Sequence, residues 1–145
     1  MKILLALHGY PPELRGGTEN AVQALARGLA RRGHAVIVVA GSMDWESGFR
    51  VTEDRDVDPE SGNAIDVFRI HRDDLYFDHW QKSLSTRVAA AFREIVERER
   101  PDVVHVHHWI RLSRDLVAQA ARGRSGGGVA ARPLDDLLGH IPRAA

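Results

Sequence analysis

Two hydrophobic periods alternate along this chain. Residues 3 to 7 are apolar without a break and stop at His8, Gly9 and two prolines, so residues 2 to 7 read as a short strand covered on both faces. From Thr18 the period lengthens. Val22, Leu25, Ala26 and Leu29 stand at i, i+3, i+4 and i+7 while Arg27, Arg31 and Arg32 face elsewhere, the stripe of an amphipathic helix. Thr18 is its expected N-cap, Glu19 suits the positive end of its dipole, and Gly33 supplies its stop. Residues 34 to 41, "HAVIVVAG", return to a buried strand. A strand, a helical connection and a second apolar strand form a right-handed parallel βαβ unit in nearly all cases. The pattern therefore predicts the α/β class, with a Rossmann-like, doubly wound, mostly parallel sheet.

Residues 43 to 63 are acidic, turn-rich and unperiodic, and read as a surface loop with a short strand near Phe49 to Thr52. "AIDVFRIHR", residues 64 to 72, sets Ile65, Val67 and Arg69 against Asp66, Phe68 and Ile70, an imperfect strand expected near an edge. Leu84, Val88, Ala91, Phe92, Ile95 and Val96 stripe a helix from about Ser83 to Arg100, which Pro101 ends. "DVVHVHHW", residues 102 to 109, is a further buried strand, and Ser113 is the expected cap of a helix carrying Leu116, Val117, Ala120 and Ala121. Beyond Arg122 the pattern fails. Where another buried strand should follow, the chain offers glycines, arginines, a proline and a weak apolar cluster at Leu134, Leu137 and Leu138. The expected division is a domain over residues 1–122 and an atypical Gly/Arg-rich tail over 123–145, with the strand at 102–109 left as an exposed edge.

The 145 residues suit one ordinary domain with its own core. Lys+Arg and Asp+Glu are both 20, so no broad basic field recruits nucleic acid, and none is expected as a partner. The absence of cysteine excludes disulfides, thiolate metal sites and a cysteine nucleophile, and makes a cytoplasmic location the expectation. No apolar run approaches the roughly 20 residues that span a bilayer, which leaves peripheral attachment at the inner membrane face open.

In a doubly wound sheet, ligands bind where the strand order reverses, outside the carboxyl ends of the strands. Two loops should meet there, residues 8 to 17 and residues 107 to 113. Gly16 and Gly17 stand just before a helix N-terminus, where free backbone N–H groups and the dipole favour an anion and absent side chains let a ligand approach. A phosphate-bearing or sugar-phosphate ligand is predicted. The alternative is that the pair only permits positive φ in a tight entry to the helix. The loop is neither a dinucleotide fingerprint nor a P-loop: it has no G-x-G-x-x-G and no Lys followed by Ser or Thr, and Asp44 is a weak candidate for the acid expected after the second strand. His105 and His107 share one face of the later strand and His108 takes the other, which is not the helical i, i+4 spacing of a zinc protease. No carboxylate nearer than Asp115 follows, and no metal is expected. His105 reads as a satisfied core residue. His107 and His108, at the strand's carboxyl end, join His8, Gly16 and Gly17 around one crevice.

"MKILLALHGYPPELRGGTENAVQALARGLARRGHAVIVVAGS" resembles the opening of family 4 glycosyltransferases, in which a first strand, a Gly-Gly loop followed by an acid, a helix and a second strand begun by Gly-His recur in that order. "RPDVVHVHHWIRLSRDLVAQAAR" is similar to the later segment of the same amino-terminal domain. The likeness covers about residues 1 to 122, with 43 to 80 matching only in layout. It implies the acceptor-side half of a GT-B enzyme, whose two Rossmann-like domains flank a cleft and transfer a hexosyl-type sugar from a nucleotide-sugar donor with retention of configuration. The implied acceptor is a glycan or a lipid-linked sugar. Carried over to this chain, Gly16 and Gly17 lie against the donor diphosphate and acceptor side of the cleft, with His8 beside them and Glu19 as the acid that supports the loop. Catalytic contact with the transferred sugar or acceptor falls to His107 first and His108 next. The nucleotide-sugar is a co-substrate and no cofactor is expected, because stabilising an oxocarbenium ion and a departing diphosphate is mostly positioning and electrostatics.

After Arg122 the chain departs from the family's pattern. The family's valine-rich strand with its Thr-x-His-Asp type turn is faintly echoed by "PLDDLL", and no nucleotide-gripping carboxyl-terminal domain follows. The expectation is a truncated or frame-shifted chain, inactive alone and completed by a separate carboxyl-terminal domain. The alternatives are a stand-alone module that binds a sugar phosphate or nucleotide, and a nonfunctional remnant.

Overall fold

The computed structural model describes residues 1–44, 48–75 and 83–124. Nearly all of the Gly/Arg-rich tail, "PLDDLL" included, lies outside the described residues. The elements are β1 (Lys2–Leu7), α1 (Gly17–Arg31), β2 (Ala35–Gly41), β3 (Arg50–Val57), β4 (Ala64–His71), α2 (Thr86–Glu99), β5 (Val103–Val106) and α3 (Leu116–Arg124). They form one five-stranded sheet in the order β3-β4-β2-β1-β5. β1 pairs in parallel with β2 on one side (Leu4 opposite Ile37) and with β5 on the other (Leu4 opposite Val104), and β2 pairs in parallel with β4. Only β3 runs antiparallel, against β4. The architecture is the Rossmann-like, mostly parallel α/β fold that the βαβ pattern predicts, with the strand order reversing between β1 and β5.

Each face of the sheet buries its own cluster. Leu5, Leu7, Val36, Val38, Ile65 and Val67 pack with Val22, Ala26 and Ala30 of α1. Leu4, Ala6, Ile37, Val39, Phe68 and Ile70 pack with Val88, Phe92 and Val96 of α2 and Leu116 and Ala120 of α3. A fully buried side chain of this size is worth about 1.5–3 kcal/mol, so these two layers dominate the stability. α1 meets the sheet through Val22, Ala26 and Ala30, not Leu25, which is 39% exposed. Small residues let the helix axis approach closely.

The helix ends follow local chemistry, with two corrections. Gly33 stops α1 as expected: it sits at φ 86°, its N–H donates to the Ala30 carbonyl, and the His34 N–H reaches back to Leu29 at 3.2 Å. Thr18 is not the N-cap. The cap position is Gly16, extended at φ −161° with no side-chain cap bond, and Thr18 lies inside the first turn. Nor does Ser113 cap α3. Its buried hydroxyl accepts from the Ser85 N–H and donates to Asp115, while Asp115 immediately precedes the helix and takes bonds from Gln119. α2 begins at Thr86, where Ser85 accepts from the Val88 N–H at 3.3 Å, and ends at Arg100 in the left-handed region before Pro101.

Two strand expectations also change. β3 has eight residues rather than a short stretch near Phe49, and as the edge strand beside β4 it leaves β4 near an edge, as expected. β3 gave no hydrophobic signal since its side chains are largely exposed: the backbone ladder to β4 holds it, and its side chains add ion pairs, with Arg27 on Asp56 at 2.7 Å and Arg98 on Glu53 at 3.0 Å. β5 is shorter than expected and half-buried, and among the described residues it is the sheet's edge.

Candidate functional site

The connection leaving β1 leads to α1 on one face of the sheet, and the connection leaving β5 leads to α3 on the other, so the two loops part above adjacent parallel strands. Such a point opens a crevice at the carboxyl rim. His8 follows β1 directly. His107 follows β5, where its N–H donates to the Ala6 carbonyl at 2.8 Å and extends the pairing past the strand.

His8 is the hub of one side-chain group. Its Nε2 lies 2.5 Å from Oε1 of Glu19, a carboxylate 6% exposed in the first turn of α1. Its ring meets that of His108 edge-on, with centroids 4.8 Å apart. Desolvation lowers the His8 pKa; the negative charge of Glu19 opposes this, and the charges of His108 and Arg111 add to it. A neutral His8 that donates from Nε2 to Glu19 has its lone pair on Nδ1. The ring of His108 is fixed by the Ile110 N–H, which donates to its Nδ1 at 3.1 Å.

The other histidines form a second group. The register Leu5 opposite His105 puts His105 on the α1 face of β5, and His107 stacks on it at 3.9 Å between ring centroids. His105 is half-buried at an edge rather than a core residue. Burial lowers both pKa values, that of His107 to about 4 with the charge of His105 contributing, so His107 is neutral at ordinary pH. The structure thus joins His8, Glu19 and His108, and sets His107 beside His105 on the same rim. Among the described residues, the buried side-chain nitrogens without a hydrogen-bond partner are His8 Nδ1 and His107 Nε2.

The glycines divide the work. A Cβ on Gly16 would come within 2.5 Å of Glu19 Oε2, so Gly16 makes room for the carboxylate that holds His8. A Cβ on Gly17 would meet nothing within 4 Å. Neither has positive φ, which removes the reading of the pair as a left-handed entry turn. Gly17 faces open space at the helix N-terminus, where unpaired N–H groups favour an anion.

The loop between His8 and Gly16 is held by residues that periodicity did not mark. Arg69, 4% exposed on β4, donates to the carbonyls of Tyr10 and Pro11 at 3.0 and 2.8 Å. Glu13 accepts from the Ser42 hydroxyl and the Met43 N–H at 2.9 and 2.8 Å. Buried Tyr10 donates to Asp56 at 2.9 Å, which also accepts from Gln23 and Arg27. The one legible signal was Arg69 in phase with inward Ile65 and Val67, since a charge on a buried face must find partners. Asp44 does not reach the rim group; it pairs with Arg50 at 2.9 Å.

Two concavities, of about 510 Å³ between β3, β4 and the end of α2 and about 300 Å³ between α2 and α3, lie away from the rim. Among the described residues no three His, Asp or Glu side chains are grouped as metal ligands would be, and no helix is long and apolar enough to cross a membrane.

The sequence model of Glycosyltransferase Family 4 matches residues 15–129, a span that includes Gly16, Gly17, Glu19, His107 and His108. The chain is similar to an uncharacterized glycosyltransferase of Methanocaldococcus jannaschii, with 27% identity over 111 residues, which make up 76% of this chain and 25% of that protein. The chain therefore spans about a quarter of the length of the curated relative it matches. No solved structure matches it.

Proposed function

The chain belongs to glycosyltransferase family 4, and on that premise we propose that the rim of His8, Glu19, His107 and His108 is the substrate-facing wall of a retaining, nucleotide-sugar-dependent glycosyltransferase. The observation that carries this reading is the position of the two unpartnered buried nitrogens, His8 Nδ1 and His107 Nε2, on the rim where the strand order reverses. A buried polar atom without a partner costs about 1–3 kcal/mol, and such a cost is kept where a ligand supplies the missing bond.

In this scheme the donor diphosphate lies against the start of α1 at Gly17, and the transferred sugar and the acceptor lie over His108 and His107. The bond from the anomeric carbon to the diphosphate oxygen breaks, the acceptor oxygen bonds to that carbon on the same face, and the acceptor proton leaves on the departing phosphate. A neutral His107 suits this chemistry, because it exchanges hydrogen bonds with sugar hydroxyls without placing a cation beside the developing oxocarbenium ion. The nucleotide is gripped by a second domain facing the rim, and a membrane-borne acceptor would bring the protein to the membrane surface peripherally.

The chain incubated with a panel of nucleotide-sugars and with glycan or lipid-linked acceptors, alone and with a separately expressed carboxyl-terminal half of a related enzyme, tests the scheme. Transfer on complementation that is lost with His108→Ala supports it. Transfer by the chain alone removes the need for a second domain, and saturable binding with no transfer in either arm selects a binding module instead.

A further inference from the structure

Arg111 stands out in the loop that follows β5. Residues Trp109 to Leu112 form a tight turn closed by the Leu112 N–H on the Trp109 carbonyl at 2.9 Å, and Arg111 takes its third position at φ 62°. That position calls for glycine or asparagine, because a Cβ in the left-handed region is crowded by its own backbone. The described chain has one other non-glycine residue with positive φ, Arg100, and it is accounted for as the left-handed end of α2. Arg111 ends no helix.

Its side chain is also unusual. The described arginines that lack an ion pair or hydrogen bond, such as Arg15, Arg32 and Arg114, are exposed, whereas Arg111 is half-buried and equally without a carboxylate. It sits over the rim: a Cβ added to Gly41 at the end of β2 would meet the Arg111 Cβ at 3.1 Å and the His8 carbonyl at 2.6 Å, so Gly41 is what lets the two loops close up. The guanidinium is near enough for its charge to disfavour a proton on His8. A strained backbone holding an unpaired, partly desolvated cation beside His8 is a feature that folding alone does not favour.

We propose that Arg111 is a specificity-determining residue that binds a phosphate group of the substrate, its guanidinium giving the paired donors that phosphate oxygens accept. This rests on the reading of the rim as a substrate wall and assigns to that wall its cationic phosphate contact. The phosphate belongs either to the donor's diphosphate or to an anionic acceptor, and the two are separable by probe.

The test exploits the strain. Arg111→Gly relaxes the turn while removing the charge, so it should unfold at no lower temperature than the native chain and yet bind phosphate probes more weakly by about tenfold or more. Arg111→Asn, which also tolerates this backbone, should behave alike, and Arg111→Lys, which keeps the charge and gives up the paired donors, should bind between the native chain and Arg111→Gly. The probes are inorganic pyrophosphate, for the donor side, and a hexose 6-phosphate, for an anionic acceptor, each titrated while the ring resonances of His8 and His108 are followed. Rim shifts that persist at native affinity in Arg111→Gly and Arg111→Asn would overturn the assignment of Arg111 and leave the rim standing. Absence of any rim shift in the native chain with these probes and with nucleotide-sugars would overturn both.

Discussion

Nε2 of His8 lies 2.5 Å from Oε1 of Glu19, so the residue that follows β1 is locked to the first turn of α1. This contact ties a strand terminus to a helix terminus across the whole glycine-containing loop. Glu19→Gln removes the negative charge that opposes desolvation at His8, so His8 should titrate lower still, and the loss of a charge-assisted bond should cost about 1–3 kcal/mol. Ring-proton titration of His8 in the two proteins checks the direction. A His8 that titrates higher in Glu19→Gln would show that the contact does not exist in solution.

The adjacent glycines should respond oppositely to the same change. Gly16→Ala drives a Cβ into Glu19 Oε2 and must break the His8 contact or shift the helix start, so it should destabilise. Gly17→Ala meets open space in a helical position and should stabilise by about 0.4–1 kcal/mol through the unfolded chain. Gly17→Val should likewise fold and, by filling the approach to the α1 N-terminus, lose pyrophosphate binding. Thermal unfolding of the pair is the check, and equal effects of both alanines would contradict the assigned roles.

Stability should fall on mild acidification. His107 titrates near 4 in the folded chain against about 6.5 unfolded, so between these values the unfolded chain binds the extra proton and stability rises with pH. The contribution is complete above pH 6.5 or so and is lost as the pH falls toward 4; the lowered values of His8 and His105 act in the same direction. Asp58, held near 2 by Arg31 and Ser61, does not titrate in this window. Urea midpoints at about pH 7.5 and about pH 5 should differ, and His107→Gln should flatten the difference. A midpoint that is level across the range would mean that the imidazoles are not desolvated.

The loop after β1 should depend on Arg69. Arg69→Met removes the donor of the Pro11 carbonyl and the shorter of the two bonds to the Tyr10 carbonyl, which keeps the Leu14 N–H at 3.4 Å, and should cost about 1–3 kcal/mol where water cannot reach the orphaned group. Amide exchange should quicken over residues 9 to 16 more than in β1. Uniform protection with unchanged stability would show that Glu13 and Tyr10 hold the loop without it.

The sequence by itself determined the layers of this protein. Unbroken apolar runs at residues 3 to 7 and 36 to 40 can only be strands buried on both faces, and the stripes of α1 and α2 require a sheet to cover them. Gly33 and Pro101 marked helix ends because their effects are set by neighbouring backbone alone. The rim's location was legible for the same reason, since a parallel βαβ unit has one hand and therefore one switch point. Tertiary structure decided the rest. β3 was invisible because its backbone ladder to β4 and its ion pairs with Arg27 and Arg98, residues 29 and 45 positions away, bury almost no side chain and give no local period. Whether His107 or His108 would meet His8 depended on where β5 ended, and the pairing of β5 with β1 stops at Val106. The need for Gly16 lay in the return of Glu19 to His8 rather than in φ, and the strain at Arg111 appeared only once Gly41 had let the loops after β1 and β5 close on one another. Periodicity reports which side of an element is buried; contacts between loop side chains are fixed by distances that only the closed sheet creates.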